Sequence, residues 1–329
     1  MKISFVNNFF NPGGSTKTAF ALAKSFSDYN EMQFYGFWDG VFRSKFSELG
    51  ETFLMSADGF DYGTKIIKKL EEFDPDIVHI FIPGAQNPSY FNMLPKRSKK
   101  FATVLCEQKL GFDYRLFDKI FFQSKYGESF TGVLPNGVVV RPGWECDFLE
   151  KEQRVRPVLS RVSAFCPSKL IDHTVMAANH FRKNEWVVGG EIQDRKYYSD
   201  LIEYKHSNSL KNLKIVSNIS DSFVENIIND CDIWHYPTSS EVFCFSVLEA
   251  MAAKKPVISY KLDAVKEFFD TDEWLADNFD DMIEKTDKMI SLPPIERQRI
   301  GIENYKSYLE HVPEIFAEKI MTEYEKTFE

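Results

Sequence analysis

The sequence predicts an α/β protein of two doubly wound, Rossmann-like domains that face each other across a cleft. Three observations carry this. The chain has 329 residues, enough for two domains of ordinary size, each with its own core. Short apolar strands alternate with helical segments in both halves, the pattern of a parallel sheet covered by helices on both faces. Between the halves stands a dense group of turn residues followed by a charged run.

The elements follow in order. Residues 2–6 form an apolar strand that ends in Asn11-Pro12-Gly13-Gly14. Residues 16–26 then place Phe20, Ala23 and Phe26 at helical spacing. Residues 33–37 read as a strand and 65–72 as a helix. Residues 76–82 are a buried strand announced by Asp74-Pro75, and 102–106 and 119–123 are further strands. Pro135-Asn136-Gly137, Arg141-Pro142-Gly143 and the charged residues 150–156 mark the boundary. The first domain is therefore expected over residues 1–150 and the second over 151–312.

The second half repeats the alternation. Residues 185–188 are a strand ending in Gly189-Gly190, and 213–216 another. Residues 221–229 are a helix, 232–236 a strand stopped by Pro237, 246–253 a helix and 256–260 a strand. From 293 to 329 the pattern is almost wholly helical. Two such domains would place a ligand cleft at the carboxyl ends of their strands.

Composition narrows the function. The formal net charge of −9 argues against indiscriminate nucleic-acid binding, which needs a basic surface. One local basic patch exists, Lys96, Arg97, Lys99 and Lys100. Five cysteines without a CxxC pair read as free thiols in a reducing compartment. No stretch reaches transmembrane length, and Asn7 and Asn8 break the apolar start that a signal peptide would need, so a cytoplasmic location is expected. The six histidines show no ligand spacing. Asp74-Pro75-Asp76 and Asp230-Cys231-Asp232 look like metal-binding DxD pairs, but each precedes a strand and so lies at the wrong end of a sheet. No metal is expected.

The most informative segment runs from Ser239 to Ser259, SSEVFCFSVLEAMAAKKPVIS. Glu241 leaves the end of a strand on a loop, and Phe243, Cys244, Phe245 and Ser246 turn into a helix start. Free amides and the helix dipole at such a start suit a diphosphate. Carboxylates such as Glu241 and Glu249 accept paired hydrogen bonds from vicinal hydroxyls. Read alone, Ser246-Val247-Leu248-Glu249 is better taken as a capping box, in which Glu249 simply closes the helix start.

The segment resembles the donor-site signature of the large retaining glycosyltransferase family with the GT-B fold, the glycosyl transferases group 1 type. That signature is a Glu, seven residues, a second Glu, then Ala-Met-Ala and a Pro-Val strand, and Glu241, Glu249, Ala250-Met251-Ala252 and Pro256-Val257 match it. Val242 and Cys244 stand where the family commonly has glycine. The resemblance implies that Glu241 holds hydroxyls of the donor sugar and Glu249 those of the ribose. It implies an Arg and a Lys on the diphosphate, for which Arg161 and Lys169 are the candidates. Gly190, Asn218 and Ile219 would border the nucleotide. Asn11-Pro12-Gly13-Gly14 looks like the family's glycine loop, with Gly13 and Gly14 near donor and acceptor. Glu107 would meet the acceptor or the donor sugar. A helix over residues 313–329 would cross back to the first domain.

The implied activity is retaining, metal-independent transfer from a nucleotide sugar, a UDP-sugar first, as co-substrate. No tightly bound cofactor is expected. The acceptor would be a saccharide or lipid-linked glycan. A hydroxymethylated base in phage DNA is the alternative, through the Lys96–Lys100 patch. A sugar-nucleotide epimerase and a non-catalytic sugar-binding module remain further alternatives. Gly13-Gly14-Ser15-Thr16-Lys17-Thr18 also approaches an ATPase phosphate loop, but Thr16 replaces the glycine that lets the backbone wrap phosphate.

Overall fold

The apolar runs become the central strands of two parallel sheets, each in its own unit. The computed structural model describes residues 1–55, 62–82, 89–105, 107 and 109–329. Cys106 and Gln108, which flank Glu107, lie outside the described residues. The chain divides into one unit of Met1–Glu145 with His311–Glu329 and another of Cys146–Glu310.

The first unit carries β1 (Lys2–Phe9), β2 (Glu31–Trp38), β3 (Glu51–Leu54), β4 (Ile77–Ile82), β5 (Lys99–Val104), β6 (Lys119–Phe122) and β7 (Gly137–Val139). Their order is β3-β2-β1-β4-β5-β6-β7, and every pairing is parallel. The helices are α1 (Gly14–Phe26), α2 (Phe42–Ser47), α3 (Tyr62–Phe73) and α4 (Lys125–Ser129). Two apolar clusters cover the two faces of the sheet. One gathers Phe5, Phe34 and Phe81 with Leu22 and Phe26 of α1; the other gathers Val78 and Ile80 with Ile66 and Leu70 of α3. Much of the phenylalanine is spent here, as edge-to-face and stacked pairs such as Phe20–Phe46 and Phe5–Phe34.

The C-terminal helix Pro313–Glu325 packs on this first unit. Phe316, Ile320 and Tyr324 enter its core. The Tyr324 hydroxyl meets His79 Nδ1, and His79 Nε2 lies 2.7 Å from Thr103 Oγ1, so the helix is fastened through a buried imidazole that also stacks on Phe81.

The second unit carries β8 (Val158–Val162), β9 (Glu185–Gly190), β10 (Leu213–Ser217), β11 (Ile233–Tyr236), β12 (Val257–Tyr260) and β13 (Leu275–Ala276). The order is β10-β9-β8-β11-β12-β13, again all parallel. Its helices are α5 (Ile171–His180), α6 (Arg195–Ser207), α7 (Asp221–Asp230), α8 (Phe245–Ala252), α9 (Asp263–Lys266), α10 (Phe279–Ser291) and α11 (Pro294–Tyr308). The structure adds four strands to those read from the sequence, β3, β7, β8 and the two-residue β13. The first two are a four-residue edge strand with no fully buried position and a three-residue edge strand, both short of an apolar signal. The third, β8, interrupts its own apolar run with Ser160 and Arg161, both buried.

Burial lowers the pKa of His79 and of His235 to about 3, one in each unit. Both are neutral in the folded protein at pH 7, whereas the unfolded chain protonates them below about 6.5. The folded pKa values are depressed, so their contribution is complete above pH 6.5 and is lost as pH falls toward 3. Each histidine should cost about 1.4 kcal/mol per pH unit across that window. Urea unfolding between pH 7 and 4.5 checks this; a flat profile contradicts it. Among the described residues no helix is long and apolar enough to cross a membrane.

Candidate functional site

The strand order of the second sheet reverses beside β8, which pairs with β9 on one side and β11 on the other. The connections leaving the carboxyl ends of β8 and β11 therefore diverge, and ligands bind at such switch points. Lys169 follows β8, Glu241 follows β11, and α8 starts beside them.

Lys169 Nζ lies 2.7 Å from Glu241 Oε1. Tyr236 Oη and Thr238 Oγ1 donate to the same oxygen, at 3.0 and 3.2 Å. The Glu241 side chain is 8% exposed and that of Lys169 24%, so the carboxylate is buried and the ammonium is partly open to solvent. The two loops are also joined directly. Ser239 N and Ser239 Oγ each donate to Ser168 O at 3.0 Å. Leu170, next to Lys169, is held at φ 44°, a left-handed conformation that costs a bulky L-residue roughly 1–2 kcal/mol.

Arg161 differs from its expected place. It lies within β8 and is fully buried. Its Nη1 donates to Pro237 O at 2.9 Å and Thr174 Oγ1 at 3.2 Å, and its Nη2 to Lys169 O and Ser163 Oγ, both at 2.8 Å. The guanidinium also stacks on the Tyr236 ring, 4.9 Å from its centroid. Both Nη groups are thus bonded within the protein, while Nε is buried with no partner among the described residues.

The capping-box reading of Ser246 is corrected as well. Helix α8 begins at Phe245 with Cys244 as its N-cap, and Cys244 makes no side-chain cap. Ser246 Oγ instead donates to Val162 O at 2.7 Å, tying the helix start to the end of β8. Val247 and Leu248 N–H both donate to Cys244 O, and the amide of Ser246 belongs to the open first turn. Glu249 lies one turn in and is buried. Phe243 and Phe245 pack edge to face at 5.0 Å and seat the turn in the core. Cys244 has φ −92° and Val242 has no positive φ, so the backbone demands glycine at neither place.

The other candidates line the carboxyl edges. Gly190 ends β9, and an added Cβ there would stand 1.8 Å from Ser163 O. Asn218 follows β10 at φ 53°, a conformation asparagine tolerates, and donates its N–H to Gly190 O at 2.7 Å. Ile219 packs against Gly189. In the first unit, Gly13 and Gly14 follow β1, and half-buried Glu107 follows β5.

Lys96, Arg97, Lys99 and Lys100 stand at the opposite, amino edge of the first sheet, where β5 begins. Lys99 faces Asp118 and the Phe328 ring, and Lys100 Nζ donates to Ser98 O at 3.0 Å. Lys96 and Arg97 are exposed. His235 is buried against Trp186, with Thr174 Oγ1 3.2 Å from its Nδ1. Asp76 and Asp232 accept from backbone N–H groups at amino edges, Asp232 also from Arg154. Among the described residues no group of three His, Cys, Asp or Glu could hold a metal ion, and four cysteines are free thiols.

Sequence reasoning missed Tyr236 and Thr238. Their signal was available: hydroxyl-bearing residues on either side of Pro237, where a strand delivers its loop.

Residues 149–307 match the family model described as Glycosyl transferases group 1. No curated protein matches the sequence. Among solved structures, Anabaena HepE in complex with UDP and glucose superposes with a TM-score of 0.81 at 15% identity, covering 98% of each chain. A glycosyltransferase from Rickettsia africae gives 0.78 at 14% identity, covering 100% of this chain and 98% of that one. Sucrose-phosphate synthase from Thermosynechococcus elongatus gives 0.78 at 11% identity, covering 99% of each.

Proposed function

Proceeding from a chain that is a group 1 glycosyltransferase with the parallel α/β units of the GT-B fold, we propose that it moves a sugar from a UDP-sugar to a hydroxyl of a saccharide or lipid-linked glycan. Retention of anomeric configuration and independence of metal are part of this reading. The observation that carries it is the Lys169–Glu241 pair, 2.7 Å apart, at the carboxyl edge beside the start of α8.

The parts divide the chemistry as follows. The first turn of α8, with the Ser246 amide, takes the diphosphate, and Lys169 adds a cation as charge grows on the leaving group. All three hydrogen bonds to Glu241 converge on Oε1, so Oε2 is the oxygen for the sugar hydroxyls. Glu249, one turn in, takes the ribose hydroxyls. Gly190, Asn218 and Ile219 border the nucleotide. Gly13, Gly14 and Glu107 are the substrate contacts of the first unit. The fold then contributes positioning and electrostatic stabilisation. The amino-edge placement of Lys99 and Lys100, with their partners, gives the DNA-modifying alternative no support.

Incubation with a panel of nucleotide sugars and detection of released nucleoside diphosphate tests the activity. UDP release is expected, and a product of unchanged anomeric configuration. Neither release nor binding with any donor would overturn the reading.

Gly13 offers a clean probe of the β1–α1 loop. Its φ of 175° suits any residue, and among the described residues nothing lies within 4 Å of an added Cβ. Gly13→Ala should keep the wild-type melting temperature and raise a substrate KM severalfold, because the methyl occupies space a ligand approaches. Unchanged kinetics would remove the loop from the site.

A further inference from the structure

We infer that Tyr236, seated on Arg161, is a positioning residue that fixes the rotamer of Glu241 and thereby sets recognition of the donor sugar. The inference rests on the donor-site reading above and goes further by assigning the sugar-facing geometry to a buried pair.

The argument is geometric. Glu241 is on a loop, and a carboxylate on a loop ordinarily samples several rotamers. Here Tyr236 Oη, from the last residue of β11, donates to Oε1 at 3.0 Å. Tyr236 is buried, so its hydroxyl has a fixed direction. The ring lies against the Arg161 guanidinium at 4.9 Å, and Arg161 binds Pro237 O and Lys169 O. One buried cation thus holds both loops that carry Lys169 and Glu241, together with the ring that orients Glu241. Burial and the neighbouring Glu241 charge push the Tyr236 hydroxyl well above its ordinary pKa. It therefore stays a donor at every working pH.

A hydroxyl that acts only through Glu241 has a diagnostic signature. Its removal should affect the sugar and spare the nucleoside diphosphate. The effect should also vanish once Glu241 is gone, which a double-mutant cycle measures. Tyr236→Phe keeps the ring on Arg161 and removes one oxygen.

Titration calorimetry with UDP, GDP, ADP and dTDP and their glucose conjugates identifies the tightest pair for the wild type. For that pair, Tyr236→Phe should lower the preference for the sugar conjugate over the free diphosphate about fivefold. Affinity for the free diphosphate should stay within twofold. In a Glu241→Ala background the same substitution should change nothing further. An unaltered preference in Tyr236→Phe, or an equal loss in both backgrounds, overturns the positioning role. Wild-type protein that binds none of the probes overturns the donor-site reading itself, and the inference with it.

Discussion

Glu241→Ala is expected to lower kcat/KM for the nucleotide sugar by about 100-fold or more, with the protein still folded. The expectation follows from what the side chain would do. A carboxylate that accepts from sugar hydroxyls makes charge-assisted hydrogen bonds worth about 1.5–3 kcal/mol each, and each 1.4 kcal/mol is tenfold in rate. Folding should suffer modestly. Removing Glu241 leaves the buried Tyr236 hydroxyl without its acceptor, a cost of about 1–3 kcal/mol. Lys169, whose side chain is 24% exposed, can turn to water. Steady-state kinetics beside a thermal melt decides the matter. A rate within threefold of wild type would reject the assignment of Glu241. Gln at this place should recover part of the loss, because its carbonyl still accepts.

Gly190→Ala should destabilise the second unit strongly. The added Cβ would stand 1.8 Å from Ser163 O, and that atom is backbone. It cannot swing aside as a side-chain tip would. Ser163 N also donates to Gly189 O at 3.0 Å, so β8 and β9 must part for the methyl to fit. Overpacking of this kind costs about 1–3 kcal/mol, and more where backbone must move. Because Lys169 hangs from the same β8 exit, donor affinity should fall together with the urea midpoint. An unchanged midpoint would mean that the two strands separate easily, and would undo the rigidity argued for this edge. Gly13→Ala, with nothing within 4 Å among the described residues, is the matched control.

Much of the fold was legible because its strands are apolar and short and are punctuated by Pro, Gly and Asn. The strand at residues 119–123 and the helix at 221–229 appear within a residue of their expected ends. The strand at residues 2–6 runs on to Phe9, since Asn7 still pairs within the sheet despite its polarity. What escaped were elements whose residues do not advertise them. Edge strand β3 carries no fully buried side chain, and β8 hides a buried Arg161. A sequence reading expects a charged residue at a surface. It could not foresee that Pro237 O, Lys169 O, Thr174 and Ser163 would arrive together at the two Nη groups of one buried guanidinium.

The chain's own pattern was sufficient to specify two parallel α/β sheets, and to single out Glu241, Glu249 and Lys169 as residues of interest. The sheets follow from local periodicity, which a linear reading contains; the three residues follow from the resemblance to the donor-site signature that residues 239–259 carry. Which charges are free and which are spent was decided by tertiary structure alone. Lys169 meets Glu241 across 72 positions, and Arg161 meets Pro237 across 76. Ser246 forgoes the cap of its own helix for the end of β8, 84 positions away. Hydrogen bonds to partners so remote depend on the crossing of strands, and only the folded sheet fixes that crossing.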